Sequence, residues 1–140
     1  MISIVKLKSG SPYEERESYS RAVVVDNWIF VSNTAGVDYA TQVFPDTAVG
    51  QIQQSLKNVS GALAAVGASL SDVVRARVFV PNPADAGEVM AAFGEAFRGT
   101  DPALTVLCTP LGGPQYLAEI EVTAYRGAGA AQQERLQIQL

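Results

Sequence analysis

The 140-residue sequence contains no histidine and one cysteine, Cys108. Histidine is the commonest general base and the commonest metal ligand in proteins, so its absence leaves carboxylates, tyrosine, serine and backbone groups as candidates for catalysis. A single cysteine excludes an intramolecular disulfide and a site built from several cysteines. Water is therefore the expected nucleophile of any reaction.

Positive charge and long apolar runs are also scarce. Ten lysine and arginine residues stand against 14 acidic residues, a net charge of -4, which disfavours nucleic-acid and anionic-membrane partners. The longest apolar run, Val23 to Val31, is interrupted by Asp26 and Asn27 and falls short of the roughly 20 residues of a membrane span. Residues 1–6 lack a charged leader before an apolar stretch, so we expect a cytoplasmic protein.

What the chain does contain is typical of one compact domain over residues 1–140. Hydrophobic residues make up 48% of the sequence and charged residues 17%. That balance lies far from the low hydrophobicity and high charge of disordered chains.

The first half predicts a strand over residues 2–7, a hairpin and a long helix. Asp26 and Asn27 fit the two-residue turn of a hairpin over residues 22–32, after which the chain is expected to leave the sheet at Asn33. The charged run 14–17 reads as a solvated loop. From Asp46, a candidate N-cap, apolar residues recur at helical spacing as far as Gly67, which is placed to end the helix.

The second half predicts strand, helix, strand, strand. Residues 73–80 form a strand with Arg75 and Arg77 facing outward, and Asn82 followed by proline precedes a second apolar helical stripe. Residues 101–108 and 117–124 read as the last two strands. In the final strand alternation places Ala118, Ile120, Val122 and Ala124 on the core face and Leu117, Glu119, Glu121 and Thr123 on the other.

This order predicts an α+β fold with two helices packed on one face of a mixed β-sheet. The other sheet face stays uncovered and carries Glu119, Glu121, Arg75 and Arg77. A half-polar open face of this kind is often completed by oligomerisation.

Several motifs, in order, resemble the reactive intermediate deaminase superfamily, the YjgF-like or RidA proteins. The segments that carry the resemblance are Tyr19-Ser20-Arg21-Ala22-Val23, Trp28-Ile29-Phe30-Val31-Ser32, Gln54-Ser55-Leu56-Lys57-Asn58-Val59, Ser71-Asp72-Val73-Val74, Pro102-Ala103-Leu104-Thr105 and Glu119-Ile120-Glu121-Val122-Thr123-Ala124. The resemblance covers about residues 19–126, which would make these the domain core and residues 127–140 a polar C-terminal tail.

The resemblance implies a chorismate-mutase-like homotrimer with a small-molecule cleft between each pair of subunits. It also implies hydrolysis of 2-imino or 2-enamino acids to 2-keto acids and ammonia, without a metal or an organic cofactor. Glu119 matches the family carboxylate that orients or activates the attacking water, a role that needs a base within hydrogen-bond reach. Tyr19, Ser32, Asn33, Leu104 and Thr105 match positions that line the substrate pocket.

One matched position departs from the family pattern. In the deaminases an arginine follows the Pro-Ala pair and clamps the substrate carboxylate, whereas this chain has Leu104. Leucine cannot neutralise a carboxylate, so the substrate is expected to lack that group or to be held differently. Arg16 or Arg21 is a candidate replacement on charge alone.

Three alternatives stay open from the sequence. Glu119 either activates water or pairs with an arginine across the open face for assembly alone. Cys108 is either a nucleophile or, as we expect, a small buried or half-buried residue, since the sequence offers no histidine and no nearby lysine to activate it. The protein is either an imine or enamine hydrolase or a non-catalytic trimer that binds a metabolite, and a purely structural assembly fits less well.

Overall fold

The computed structural model describes all 140 residues as a six-stranded sheet with helices on one side. The strands are β1 (Ile4–Leu7), β2 (Ala22–Val25), β3 (Trp28–Ala35), β4 (Val73–Phe79), β5 (Ala103–Leu107) and β6 (Glu119–Tyr125). The helices are α1 (Pro12–Arg16), α2 (Ala48–Ala65) and α3 (Ala86–Ala96), and short 3-10 turns cover Leu70–Asp72, Pro83–Asp85 and Ala128–Ala130. No helix combines the length and the apolar character needed to cross a bilayer.

The sheet is mixed, with strand order β1-β2-β3-β6-β4-β5. Only β4 and β5 run parallel, and every other neighbouring pair is antiparallel. The predicted α+β class, with its two long helices on one face of a mixed sheet, is confirmed. The additional helix α1 is short and lies between the first two strands in the chain.

One cluster of 22 buried hydrophobic residues joins the helices to the sheet. The final strand contributes as its alternation predicts, because Ala118, Ile120, Val122 and Ala124 are all buried. The opposite face is open and carries Glu119, Glu121 and Thr123, each half-buried. The core-facing and open rows of this sheet therefore follow the period of two.

The hairpin and the end of α2 also form as predicted. Val25 pairs with Trp28 across the turn, where Asp26 adopts a positive φ of 53°. Gly67, with φ of 78°, follows the last turn of α2, the left-handed position that glycine occupies without a steric penalty. The helix begins one residue later than expected, since Thr47 and not Asp46 is the N-cap and its hydroxyl accepts from the N–H of Gly50 at 3.1 Å.

The charged run at residues 14–17 is not the solvated loop that its composition suggests. Residues 12–16 form α1, with the Ser11 hydroxyl as its cap. Glu14 is buried because its carboxylate accepts hydrogen bonds from both the backbone N–H and the hydroxyl of Ser9. These two donors replace part of the hydration that the carboxylate loses on burial. A charge pattern in the sequence does not reveal such donors.

Two strands deviate from simple alternation. Strand β3 does not end at Asn33 as predicted but continues to Ala35 through a bulge. Strand β4 shifts register between Val73 and Arg75, so Val73 faces the core while Arg75 and Arg77 are exposed, as expected of the arginines. An extra residue in a strand reverses the faces on either side of it.

Two further expectations are corrected at the ends of elements. Asn82 and Pro83 precede the 3-10 turn Pro83–Asp85, where the Asn82 side chain accepts from the N–H of Ala84, and α3 begins only at Ala86. Cys108 is exposed and not buried or half-buried, because it directly follows β5, the edge strand whose five residues are all exposed.

Candidate functional site

The bulge in β3 places an amide beside the first residue of β6. Val31 pairs with Val122 and Thr34 with Ile120, so two β3 residues, Ser32 and Asn33, lie opposite a single β6 position. Bulges of this kind redirect side chains. Here Asn33 donates through Nδ2 to Glu119 Oε2 at 2.6 Å, a contact that also fixes which end of the amide is nitrogen.

Glu119 is half-buried, and burial governs its protonation. Removal from water raises the pKa of this carboxyl above its usual value, and the positive charge of Arg21 opposes the rise. Its second oxygen, Oε1, accepts no hydrogen bond from the chain, and no lysine or arginine lies within 4.0 Å of the carboxylate. A carboxyl with a raised pKa and one oxygen free of hydrogen bonds suits general acid–base chemistry.

Arg21 lies behind this pair at the start of β2. Its guanidinium donates through Nη2 to the backbone oxygen of Asn33 at 2.9 Å and through Nη1 to the hydroxyl of Tyr39 at 3.4 Å. The arginine therefore supports the bulge that presents Asn33 to Glu119. Arg21 was a candidate only on charge, and Tyr39 lies in a segment for which the sequence offered no periodic signal.

Tyr19 and Ser32 lie at the same end of the sheet. The Ser32 hydroxyl donates to the backbone oxygen of Ser20 at 2.7 Å, which ties β3 to the segment before β2. Burial raises the pKa of the Tyr19 phenol, with Arg21 opposing the rise, so the phenol keeps its proton at neutral pH. The structure thus brings Tyr19, Ser32, Asn33 and Glu119 to one region.

Leu104 and Thr105 lie elsewhere in the chain, on β5. Strand β4 separates β5 from β6, a spacing of roughly 10 Å at the usual strand separation. Thr105 pairs with Arg77 and so shares the open face, whereas Leu104 pairs with Ala76 in a row that faces the helix side. Within one chain neither residue joins the cluster around Glu119.

Helix α2 fixes the segment that leads into Glu119. Gln51 is buried, and its side chain donates to the backbone oxygens of Pro45 and Gln115 and accepts from the N–H of Leu117 at 2.8 Å. A Cβ on Gly36 would collide with the backbone of Gln51, so glycine permits this close approach of helix and strand. The sequence signal for Gln51 was a polar residue beside Ile52 on an apolar helix stripe.

Two surface depressions lie outside this cluster. One, of about 290 Å³, lies on the open face and includes Phe30, Arg77 and Glu121. The other, of about 660 Å³, lies between the start of β5 and the C-terminal segment. Neither includes Glu119. The structure brings together no group of three histidine, cysteine, aspartate or glutamate residues that could hold a metal ion.

The fold and this cluster define a two-layer α+β protein with a carboxylate-centred polar site at one end of its open sheet face. The family model described as Endoribonuclease L-PSP matches residues 11–126, so the chain belongs to that family, the YjgF/RidA family. The resemblance read from the motifs is confirmed.

Similar proteins and solved structures are consistent with this family. The 2-iminobutanoate/2-iminopropanoate deaminase of Capra hircus is 34% identical over 113 residues, covering 78% of this chain and 80% of that protein. Rv2704 of Mycobacterium tuberculosis, a YjgF/YER057c/UK114 family member, superposes with a TM-score of 0.80 at 33% identity, covering 88% of this chain and 99% of that one. RidA from an Antarctic Psychrobacter has a TM-score of 0.75 at 25% identity, covering 86% and 94%.

Proposed function

We propose that this protein hydrolyses an imine, an enamine or a related small C–N compound, with Glu119 as the catalytic residue. The observation that carries the proposal is the half-buried carboxyl of Glu119, whose pKa is raised by burial and whose Oε2 is held by Asn33. The relatives named as imine deaminases supply the reaction class.

The reaction requires one proton acceptor near the C=N carbon. As water attacks that carbon, the Oε1 oxygen of the Glu119 carboxylate takes a proton from the water and passes it to the imine nitrogen, which gives a neutral carbinolamine. The carboxylate then takes the proton of the carbinolamine hydroxyl and delivers it to the nitrogen as the C–N bond breaks, so a carbonyl group forms, ammonia leaves and the carboxylate is regenerated. Because burial raises the pKa of the Glu119 carboxyl, the group suits both proton transfers.

Asn33 contributes a second recognition group. Its Oδ1 is buried and receives no hydrogen bond from the chain, while Nδ2 is occupied by Glu119. An unpaired buried acceptor is costly, and the N–H of an imine would satisfy it. In this arrangement one amide orients both the base and the nitrogen to be protonated.

We place the site in a cleft between subunits of a homotrimer. The open sheet face carries exposed Trp28, Phe30 and Tyr125 beside the charged residues, an apolar surface that self-association would cover. Leu104 and Thr105 lie on the edge strand β5, away from Glu119 of their own chain. They would therefore line the cleft opposite a Glu119 from another copy, with Tyr19 and Ser32 on the side of the carboxylate.

Imine hydrolysis fits this chain better than RNA cleavage, despite the description of the family model. The net charge is -4, which repels a polyphosphate, and the sequence has no histidine to act as a general base. The proposed ligand is accordingly a small molecule and not a nucleic acid.

One observation favours a second function, a non-catalytic trimer that binds a metabolite in the same clefts. Leu104 occupies the position where the resemblance expects a carboxylate-binding arginine. A site without that arginine could retain a ligand pocket and lose turnover.

Keto-acid release from 2-imino acids, generated in situ by an amino-acid oxidase, tests the proposal. The wild type is compared with Leu104→Arg and with Glu119→Gln in each background. If the wild type accelerates keto-acid release and Glu119→Gln does not, the result supports hydrolysis and means that another group replaces the arginine missing at Leu104. Activity only in Leu104→Arg supports a competent Glu119 and a native substrate without an accessible carboxylate. No acceleration by either protein, with ligand-induced stabilisation retained, would establish the binding function instead.

A further inference from the structure

Arg21 is a buried cation whose hydrogen bonds are incomplete. Its relative exposure is 8%, and its Nε has no acceptor within the chain. Of the two contacts its other nitrogens make, one is to a backbone oxygen and one to the neutral hydroxyl of Tyr39. A guanidinium has five donors in a fixed fork, so these contacts leave part of it unused.

No carboxylate of the chain compensates this charge by contact. The three ion pairs within 4.0 Å join Arg16 with Glu17, Arg77 with Glu121 and Arg135 with Asp101. Glu119 acts on Arg21 only from a longer distance, and its own pKa is raised despite that attraction. A buried cation without a contacting anion is unfavourable, and a ligand carboxylate would relieve that cost.

We propose that Arg21 is the residue that binds the carboxylate of a small anionic ligand in the Glu119 site. The guanidinium would contact the ligand through its two Nη groups, a fork that matches the two oxygens of a carboxylate, because the Nε atom itself is buried. The anion would then be bound by the residue directly before β2, since Leu104 on β5 has no charge with which to bind it. The inference rests on the proposed function only in taking this ligand to be the substrate.

The location of Arg21 would let one site hold both the carboxylate and the reacting carbon of a ligand. Arg21 contacts the backbone of Asn33, and the side chain of Asn33 contacts Glu119. Asn33 thus links Arg21 to the proton acceptor, and a ligand carboxylate on Arg21 would lie on the same side of Asn33 as its backbone oxygen. We expect the ligand to be a small molecule whose carboxylate is adjacent to its reacting carbon.

Binding of 2-oxobutanoate and of its methyl ester separates the charge of the ligand from its shape. Calorimetric titration is made with the wild type, Arg21→Gln, Arg21→Lys and Arg98→Gln, the last an exposed arginine at the end of α3 away from the site. We expect the wild type and Arg98→Gln to bind the acid about ten- to a hundredfold more tightly than the ester, as expected for loss of a charge-assisted contact. Arg21→Gln should bind acid and ester equally weakly, and Arg21→Lys should keep part of the preference.

Several outcomes would overturn the inference. Equal binding of acid and ester by the wild type would do so even if Arg21→Gln fails to fold. A preference that survives in Arg21→Gln would place the anion elsewhere. A change of oligomeric state in Arg21→Gln, by light scattering, without any acid preference in the wild type would assign Arg21 to a contact between copies.

The proposed function fails separately. An acid preference without any imine hydrolysis would leave the anion site standing and remove catalysis. Hydrolysis of neutral and anionic imines at equal rates would retain catalysis and remove the anion site.

Discussion

Glu119 and Glu121 lie two residues apart on the same strand and the same face, yet their surroundings differ completely. Glu121 pairs with Arg77 at 2.9 Å in an ion pair whose side chains are 32% and 50% exposed. Glu119 contacts no cation and is bound by the Asn33 amide. The Glu121–Arg77 contact is a surface ion pair, whereas Glu119 is a partly desolvated acid. Alternation along β6 puts both glutamates on one face, so their different surroundings come from the neighbouring strands.

The bulge of β3 and the register of β4 together cause this difference. Ser32 and Asn33 share the one position opposite Glu121, and the extra residue brings the Asn33 amide to Glu119. On the other side of β6, β4 pairs regularly with both glutamates and places Arg77 beside Glu121 but Phe79 beside Glu119. One extra residue in β3 and one cation on β4 therefore give the two glutamates different partners.

The largest expected effect on the rate comes from replacing each of the two glutamates with glutamine in turn. Glu119→Gln should lower kcat for imine hydrolysis about a hundredfold or more, the usual contribution of a positioned acid–base group. Glu121→Gln should lower it little, because the Glu121 carboxylate is already held by Arg77 and makes no hydrogen bond to Asn33. The measurement is keto-acid release at saturating substrate, with the oligomeric state of each variant checked by light scattering. Equal losses in the two variants would show that the open face, and not Glu119, governs activity.

Removing the amide should have the next largest effect. Asn33→Ala deletes a hydrogen bond to a carboxylate, so kcat/KM should fall about tenfold, near the lower end of what a charged hydrogen bond contributes. Asn82→Ala is the matched control, since that asparagine caps a 3-10 turn away from the site and its loss should affect stability alone. A rate in Asn33→Ala equal to that of the control would dismiss Asn33 as a recognition group.

A smaller effect is expected on stability as a function of pH. Because the folded pKa of Glu119 lies above its unfolded value, the unfolded state ionises first as pH rises. The free energy of unfolding should therefore fall, relative to that of Glu119→Gln, between the unfolded and the folded pKa. Urea titrations of both proteins at one protein concentration and several pH values measure the difference. A wild type that gains stability relative to Glu119→Gln across this interval would reverse the assigned cause.

The smallest effect belongs to the ion pair. Arg77→Gln should cost no more than about 1 kcal/mol of unfolding free energy, because both side chains are substantially exposed. The loss should shrink at high salt, which screens exposed charges. Urea titration at low and high ionic strength checks it. A cost several times larger, insensitive to salt, would mean that this pair is buried between copies.

Periodic features of the chain were predictable from the sequence, and irregular ones were not. The core face of β6 and the length of α2 follow from apolar spacing, which tertiary packing then satisfies. The Asp26-Asn27 turn follows from the residues that tolerate positive φ. The start of α2 was misplaced because Asp46 and Thr47 are both acceptable caps and only geometry distinguishes them.

The candidate site could be predicted only in part, because it depends on irregular features of the backbone. The resemblance indicated Glu119, but nothing in the residues 32–36 signalled that β3 would continue through a bulge. Glu14 was read as part of a solvated loop and Arg21 was a candidate on charge alone, since burial of a charge depends on partners from distant segments. Which residues of β5 would face the proposed cleft depends on contacts between chains, which no period along one chain encodes.

Site-specific titration of the glutamate side chains by carbon-detected NMR tests the central claim most directly. The signal of Glu119, assigned by its absence from Glu119→Gln, should titrate above the usual range of a glutamate. In Arg21→Gln it should titrate higher still, because the opposing positive charge is gone. A Glu119 signal at or below the usual value in the wild type would contradict the view that this end of the sheet prepares a carboxyl for proton transfer.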